Sequence, residues 1–161
     1  MTIGRPRAGR FPPIAAGFGR IAVALALVLA APVRAEDAPA NAGPIAIAPL
    51  SFKPGASSAV VSGSVVSPDR SIYAIGARAQ QVLSVDIASK EDNAVFQIYQ
   101  PPAKPERRDY GIEIVGEALK GAADGEDAKH WSGKLPVSGQ YLVVVGPTRG
   151  NADYRLTVAI H

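Results

Sequence analysis

The sequence from Tyr154 to Ile160, Y-R-L-T-V-A-I, decides the fold class, because Tyr, Leu, Val and Ile alternate with Arg, Thr and Ala. Successive side chains of a β-strand point to opposite faces, so a period of two predicts a strand with one buried and one wet face. The same period occurs from Leu83 to Ile87 (L-S-V-D-I) and from Ala94 to Ile98 (A-V-F-Q-I). These stretches predict an all-β domain and not a helical one.

Turn residues interrupt the apolar runs at short intervals. Pro54-Gly55, Asp92-Asn93 and Ser138-Gly139 are dipeptides typical of turns. We therefore predict a single antiparallel β-sandwich, jelly-roll-like, with about eight or nine short strands. The predicted strands are Ile45–Phe52, Ala59–Val66, Ser71–Ala77, Gln81–Ser89, Ala94–Gln100, Ile112–Val115, Trp131–Leu135, Tyr141–Val145 and Tyr154–Ile160.

Three segments between these strands carry weaker signals. Pro101–Tyr110 is rich in Pro and charge and predicts a solvated loop. The acidic stretch Gly121–Lys129 predicts a second exposed loop. Glu113–Ala122 could hold a short helical turn instead of the end of a strand, and its two glycines disfavour the helix.

An N-terminal segment precedes the predicted domain. Four arginines between positions 5 and 20 come before the apolar run Ile21–Ala31, and Val33-Arg34-Ala35 follows it. This order is typical of a secretory signal peptide. A membrane span needs about 20 apolar residues, so a retained anchor is the less favoured alternative. We predict a signal peptide at 1–35, cleaved after Ala35, a flexible leader at 36–44 and the sandwich at 45–161.

The net charge of the chain depends on this segment. The sequence has 17 Lys and Arg, 14 Asp and Glu and net charge +3. The predicted signal peptide holds 5 of the arginines and no acid, so 12 basic and 14 acidic residues remain, a net charge of −2. An acidic domain gives no support to a nucleic-acid partner. The absence of Cys excludes a disulfide scaffold, and with export it favours a periplasmic protein that is free of the membrane after cleavage.

Side chains suited to catalysis are scarce. His130 and His161 are the only histidines, and His161 ends the chain, so no set of nucleophile, base and orienting group is indicated. We expect the His130 imidazole to stack on Trp131 at the surface. Without Cys or paired His a zinc site has no support, and the acids around Asp124 lack the spacing of a calcium loop. The sequence predicts a binding protein, not an enzyme, with no metal or cofactor.

One loop offers a cation on a constrained tip. Thr148-Arg149-Gly150-Asn151 lies between two predicted strands, and Gly146-Pro147 stiffens its start. A planar guanidinium donates several hydrogen bonds at once, which suits carboxylates in a cleft. A plain hairpin loop with a solvated Arg149 is the alternative.

Three motifs occur in order along the chain: F-K-P-G-A-S-S-A-V-V-S-G (Phe52–Gly63), L-P-V-S-G-Q-Y (Leu135–Tyr141) and G-P-T-R-G (Gly146–Gly150). On these motifs the chain resembles the periplasmic inhibitors of g-type lysozyme, from about Phe52 to the C-terminus. A looser similarity, in Ala77–Asp86 and Ser138–Val145, is to the sandwich modules that follow secreted peptidases. That similarity leaves open a non-catalytic module that binds glycan or another envelope protein.

The resemblance to the inhibitors implies which residues meet the enzyme. It implies that the loop with Thr148 and Arg149 enters the active-site cleft of g-type lysozyme and plugs it, with Ser138, Gly139 and Tyr141 as further contacts. For these last three, a turn glycine and a buried Tyr are the structural alternative. The family loop tends to be longer and to carry another basic residue, which this chain lacks. The Ser67–Arg70 loop would lie beside it, with Pro68 where the family often has an aromatic residue.

Overall fold

The computed structural model describes residues 43–161, so the predicted signal peptide at 1–35 and the leader up to residue 42 lie outside the described residues. This part of the chain forms ten strands and no helix, so it holds no helix that could span a membrane. The strands are β1 Ile47–Pro49, β2 Ser58–Val66, β3 Ser71–Ala77, β4 Val82–Ser89, β5 Ala94–Tyr99, β6 Lys104–Arg108, β7 Gly111–Val115, β8 His130–Lys134, β9 Gly139–Pro147 and β10 Asn151–Ile160.

The strands form two four-stranded sheets and a hairpin. Sheet A has the order β1-β3-β9-β5, sheet B has the order β2-β10-β4-β8, and β6 pairs only with β7. The predicted all-β sandwich is therefore confirmed. Its one departure from an antiparallel arrangement is β1, which runs parallel to β3.

The core lies between the two sheets and comes from the alternation seen in the sequence. Leu83 and Val85 of β4, Val143 of β9, and Leu156 and Val158 of β10 are all 0% exposed. Each such side chain contributes roughly 1.5–3 kcal/mol by leaving water. The expected inward faces of these strands are therefore confirmed.

A second apolar cluster lies on the outer face of sheet A. The hairpin of β6 and β7 lays Ile112 and Ile114 over Ile72, Ala74 and Leu142 of that face. The solvated loop predicted at Pro101–Tyr110 was wrong, because Lys104–Arg108 is a strand of this hairpin. The sequence K-P-E-R-R hides the strand, since it is stabilised by its pairing with β7 and contains no apolar residue other than proline.

The segment after the hairpin covers the free edge of β5. The Ile98 amide donates to the Ala122 carbonyl (2.9 Å), and the Phe96 amide donates to the Ala128 carbonyl (2.9 Å). The exposed loop predicted at Gly121–Lys129 is thus wrong for Ala122 and Ala128, which are buried, although its charged residues face water. Glu113–Ala122, which could have held a short helical turn, contains no helix. Its first residues are instead the end of strand β7, as the strand alternative predicted.

His130 does not stack on its neighbour as expected. Consecutive residues of β8 point to opposite faces, so the two rings are directed apart. The His130 Nδ1 atom lies 2.6 Å from an Asp86 carboxylate oxygen on β4, and the Trp131 indole donates to the Lys120 carbonyl (3.0 Å).

Candidate functional site

Three connections meet at one end of the sandwich, which we call the loop end. They are Ser67–Arg70 between β2 and β3, Lys90–Asn93 between β4 and β5, and Thr148–Gly150 between β9 and β10. Each passes from one sheet to the other, so together they close this end. The Ser67 amide donates a hydrogen bond to the Gly150 carbonyl (3.0 Å), which confirms that the first and third loops are neighbours.

A buried amide fixes the loop that carries the arginine. Asn93 is 3% exposed and is the only buried polar residue between positions 43 and 161. Its side-chain Nδ2 atom donates to the main-chain carbonyls of Arg149 (3.2 Å) and Asn151 (2.7 Å). The main-chain carbonyl of Asn93 accepts from the Thr148 amide (2.8 Å). The Asp92-Asn93 dipeptide predicted only a turn, and nothing local in the sequence indicated which loop Asn93 would hold.

Arg149 lies at the exposed tip of the loop. Its Nη2 atom donates to the Glu91 carbonyl (3.0 Å), and it takes part in no ion pair within residues 43–161. Gly150 has a φ of +56°, a left-handed conformation that glycine adopts without strain and that lets the chain turn sharply into β10. The loop therefore presents a cation whose charge no carboxylate of the described chain neutralises.

The other predicted contact residues lie at the opposite end of the molecule. Ser138 comes just before β9, Gly139 is the first residue of β9 and Thr148 comes just after it, so the nine-residue strand separates Ser138 from Thr148. At about 3.4 Å per residue, the ten steps from Ser138 to Thr148 amount to roughly 34 Å. The structure does not bring Ser138 together with Arg149, and one small partner cleft cannot enclose both.

The turn around Ser138 is explained by its internal bonds. Tyr141 is 0% exposed, and its hydroxyl donates to the Val137 carbonyl (2.7 Å), so it has no surface for a partner and supports the turn from within. The Ser138 hydroxyl accepts from the Ala79 amide (2.8 Å). Gly139 has a φ of +148°, and a Cβ there would come within 2.8 Å of Pro101. The S-G-Q-Y motif thus fits the structural alternative of the sequence analysis.

The described residues do not form a metal site. No group of three His, Asp or Glu side chains in residues 43–161 could hold an ion. Asp124 accepts from Gln97 Nε2 (2.6 Å), while Glu126 turns back to accept from the Ala123 amide (2.6 Å), so these acids do not converge. The loop end instead offers an arginine and braced backbone, which are suited to recognising an acidic surface.

Solved structures with this fold include three lysozyme inhibitors. Aeromonas hydrophila PliG, a periplasmic lysozyme inhibitor of g-type lysozyme, is 30% identical, with 71% of this chain and 96% of that chain covered and a TM-score of 0.54. Salmonella Typhimurium PliG is 23% identical (71% and 97% covered, TM-score 0.51), and a mutant of Escherichia coli PliG is 22% identical (71% and 97%, TM-score 0.50). These last two show the shared fold alone.

No protein-family model and no curated protein matches the sequence. The likeness to the Aeromonas protein nevertheless spans nearly the whole of that chain, and at 30% identity it extends to sequence as well as fold. The chain therefore belongs to the family of periplasmic inhibitors of g-type lysozyme.

Proposed function

We propose that this protein inhibits g-type lysozyme by placing the Thr148–Gly150 loop in the active-site cleft of the enzyme. The observation that carries the proposal is Arg149, which stands on a braced loop and has no carboxylate partner in residues 43–161. Family membership supplies the class of partner. Inhibition is by occupation of the cleft, and the inhibitor performs no chemistry.

The physical basis is charge complementarity in a desolvated cleft. Glycoside hydrolases carry a pair of carboxylates at the scissile bond, and these would accept hydrogen bonds from a guanidinium. Such a pair, once removed from water, typically accounts for about 2–5 kcal/mol of binding energy by truncation of one partner. One N–H of the Arg149 guanidinium donates to the Glu91 carbonyl, and this hydrogen bond orients the remaining N–H donors of the guanidinium.

The proposal includes export. The protein acts in the periplasm, and its mature form begins at Glu36 after cleavage of residues 1–35. N-terminal sequencing of protein recovered from the periplasm tests this point. Chain that still begins at Met1 and sediments with membranes would contradict it.

An inhibition assay with matched arginine variants tests the function. Arg149→Ala should weaken inhibition of a g-type lysozyme by about 2 kcal/mol, or about thirtyfold, and Arg149→Lys should restore it only in part because an ammonium lacks the planar fork. Arg78→Ala removes the same charge from an exposed residue at the opposite end and should change nothing. Ser138→Ala, also at that end, should have little effect.

Three results would contradict the proposal in different ways. Failure of the unmodified protein to inhibit any g-type enzyme would refute the function. Inhibition that survives Arg149→Ala would keep the function and exclude the loop tip as its centre. Equal inhibition of a c-type lysozyme would show that the complementarity is not specific to the g-type cleft.

A further inference from the structure

A groove runs beside the hairpin of β6 and β7 on the outer face of sheet A. The groove has a volume of about 630 Å³. Val144 of β9 and Gln97 of β5, which are paired in the sheet, lie on its floor. Binding sites for small ligands are usually concave, with a few convergent polar groups on a mainly apolar surface. The groove is concave and carries convergent polar groups, although its lining is more polar than apolar, and no established role of the chain uses it.

Arg70 lines one side of the groove, and two of its three guanidinium nitrogens, Nε and Nη2, are free to bind a ligand. Its Nη1 atom donates to the carbonyls of Pro68 (3.2 Å) and Asp69 (3.1 Å), which fix the guanidinium over Gly146. A Cβ at Gly146 would come within 2.9 Å of Arg70 Cδ and Nε, so only glycine leaves room for this position. The Nε and Nη2 atoms have no partner among residues 43–161, and they form the edge that binds a carboxylate through two parallel hydrogen bonds.

A row of hydrogen-bonded side chains lies across the groove from Arg70. The Tyr99 hydroxyl donates to Gln97 Oε1 (3.1 Å), and Gln97 Nε2 donates to an Asp124 carboxylate oxygen (2.6 Å). Burial, and next the Asp124 charge, raise the pKa of Tyr99, whereas Arg70 acts to lower it, so all three groups share one electrostatic environment. One N–H of Gln97 and one oxygen of Asp124 remain free to bind hydroxyl groups.

The distance across the groove is set by the sheet. Arg70 precedes β3, Gln97 lies on β5, and β9 runs between these strands. The Arg70 guanidinium lies over Gly146 of β9, so one strand spacing, about 5 Å, separates it from β5, and a carboxylate attached to a sugar ring can reach across that distance. Tyr110, at the turn of the hairpin, also borders the groove and is 72% exposed, with its hydroxyl bonded to Glu113 (3.1 Å). An exposed aromatic ring beside planar hydrogen-bonding groups suits the apolar face of a sugar.

From this arrangement we infer that the groove binds a saccharide that carries a carboxylate. The carboxylate binds the free edge of Arg70, the ring hydroxyls bind Gln97 and Asp124, and the sugar face lies on Tyr110. A lone acidic group would leave the Gln97–Asp124 row unused, and a neutral sugar would leave Arg70 unpaired. The Glu113 carboxylate is paired with Arg108 at 2.6 Å, and the positive charge of Arg108 offsets the repulsion between Glu113 and the ligand.

Nuclear magnetic resonance titration of the ¹⁵N-labelled protein tests the inference, with glucuronate as the probe and glucose and propionate as matched partial ligands. Glucuronate should shift the amides of Gln97, Gly146 and Asp124 saturably, with a Kd of about 1 mM or tighter. Glucose lacks the carboxylate and propionate lacks the ring, so each should bind about tenfold more weakly or worse.

Variants assign the binding to Arg70. Arg70→Ala should weaken glucuronate binding about tenfold or more, and Arg70→Lys should bind between the two because it keeps the charge and loses the fork. Arg155→Ala removes an exposed arginine from sheet B and should bind as the unmodified protein does. If Arg70→Ala does not fold, as its amide spectrum would show, Arg70→Lys carries the comparison.

Several outcomes would overturn the inference. The first is the absence of saturable shifts at about 10 mM glucuronate, a concentration that excludes any binding of consequence. Equal binding of propionate would reduce the site to a carboxylate receptor. Binding unchanged by either Arg70 variant would place the ligand elsewhere. If glucuronate does not bind but Arg70→Ala weakens binding of g-type lysozyme, the groove belongs to the protein interface and the saccharide assignment is wrong.

Discussion

Replacement of Asn93 by Ala separates the bracing of the arginine loop from the arginine itself. The change removes two hydrogen bonds, from Nδ2 to the carbonyls of Arg149 (3.2 Å) and Asn151 (2.7 Å). A buried carbonyl left without a donor costs about 1–3 kcal/mol, and both acceptors belong to exposed residues that water can partly reach. The low end of that range for each bond gives a loss of about 2 kcal/mol in the free energy of unfolding.

Urea unfolding followed by tryptophan fluorescence measures this loss. The sequence has one Trp, at position 131, and its indole is bonded to the Lys120 carbonyl, so its emission reports the folded state. Gln140→Ala is the matched control, because that exposed amide makes no side-chain hydrogen bond within residues 43–161, and it should stay within about 0.5 kcal/mol of the unmodified protein. Asn93→Asp should destabilise more than Asn93→Ala, since it places a carboxylate against two carbonyl oxygens.

The same variant has a second readout in the inhibition assay. Asn93→Ala keeps Arg149 and the main-chain bond to the Thr148 amide but removes the two side-chain bonds to the loop, so inhibition of g-type lysozyme should weaken although every contacting side chain is present. A free energy of unfolding within about 0.5 kcal/mol of the unmodified protein would refute the bracing argument. A clear loss of stability with undiminished inhibition would show that Asn93 supports the fold without positioning the arginine.

Two further predictions concern the sandwich itself. Leu83→Ala or Leu156→Ala should each lower the free energy of unfolding by about 2–5 kcal/mol in urea, because both side chains are 0% exposed, and losses below about 1 kcal/mol would contradict the inward faces of β4 and β10. Burial, together with the Tyr154 hydroxyl 2.7 Å away, raises the pKa of Tyr73 above that of an unfolded tyrosine. The contribution of Tyr73 to stability is therefore complete below about pH 10 and is lost as the pH rises further. Between about pH 8 and 11, the melting temperature should fall more steeply for the unmodified protein than for Tyr73→Phe.

The fold was predictable from the sequence where a strand alternates apolar and polar residues along its own length. In β4 and β10, alternate residues enter the core, so the period of two is visible in the sequence alone. In β6, K-P-E-R-R has charged residues on both faces, and the strand exists because β7 pairs with it and packs Ile112 on sheet A. Ala122 was missed for a related reason: a small side chain gives no signal of burial, and its position follows from bonds to β5.

In the candidate site, too, the sequence predicts some residues and not others. Arg149 could be found from the sequence, since the residues that constrain its loop, Pro147 and Gly150, are its neighbours in the chain. Asn93 could not, because the two carbonyls that its amide binds lie 56 and 58 positions further along. The S-G-Q-Y motif was visible but ambiguous, and the burial of Tyr141 favours its structural explanation.

The shortness of the arginine loop, its departure from the family pattern, also bears on its ability to bind. Strand pairing extends to Pro147 on one side and resumes at Asn151 on the other, so only three residues lie outside the sheets. Of these, Thr148 is held through its amide and Arg149 through its carbonyl, both by Asn93. Binding then has to order little beyond the Arg149 side chain, at a cost of about 0.5–1.5 kcal/mol. A longer loop could add contacts, but each added residue would also have to be ordered at about 1–2 kcal/mol. The short loop would therefore need fewer contacts for the same affinity, which supports our proposal that one guanidinium, on a loop held by Asn93, is the centre of binding.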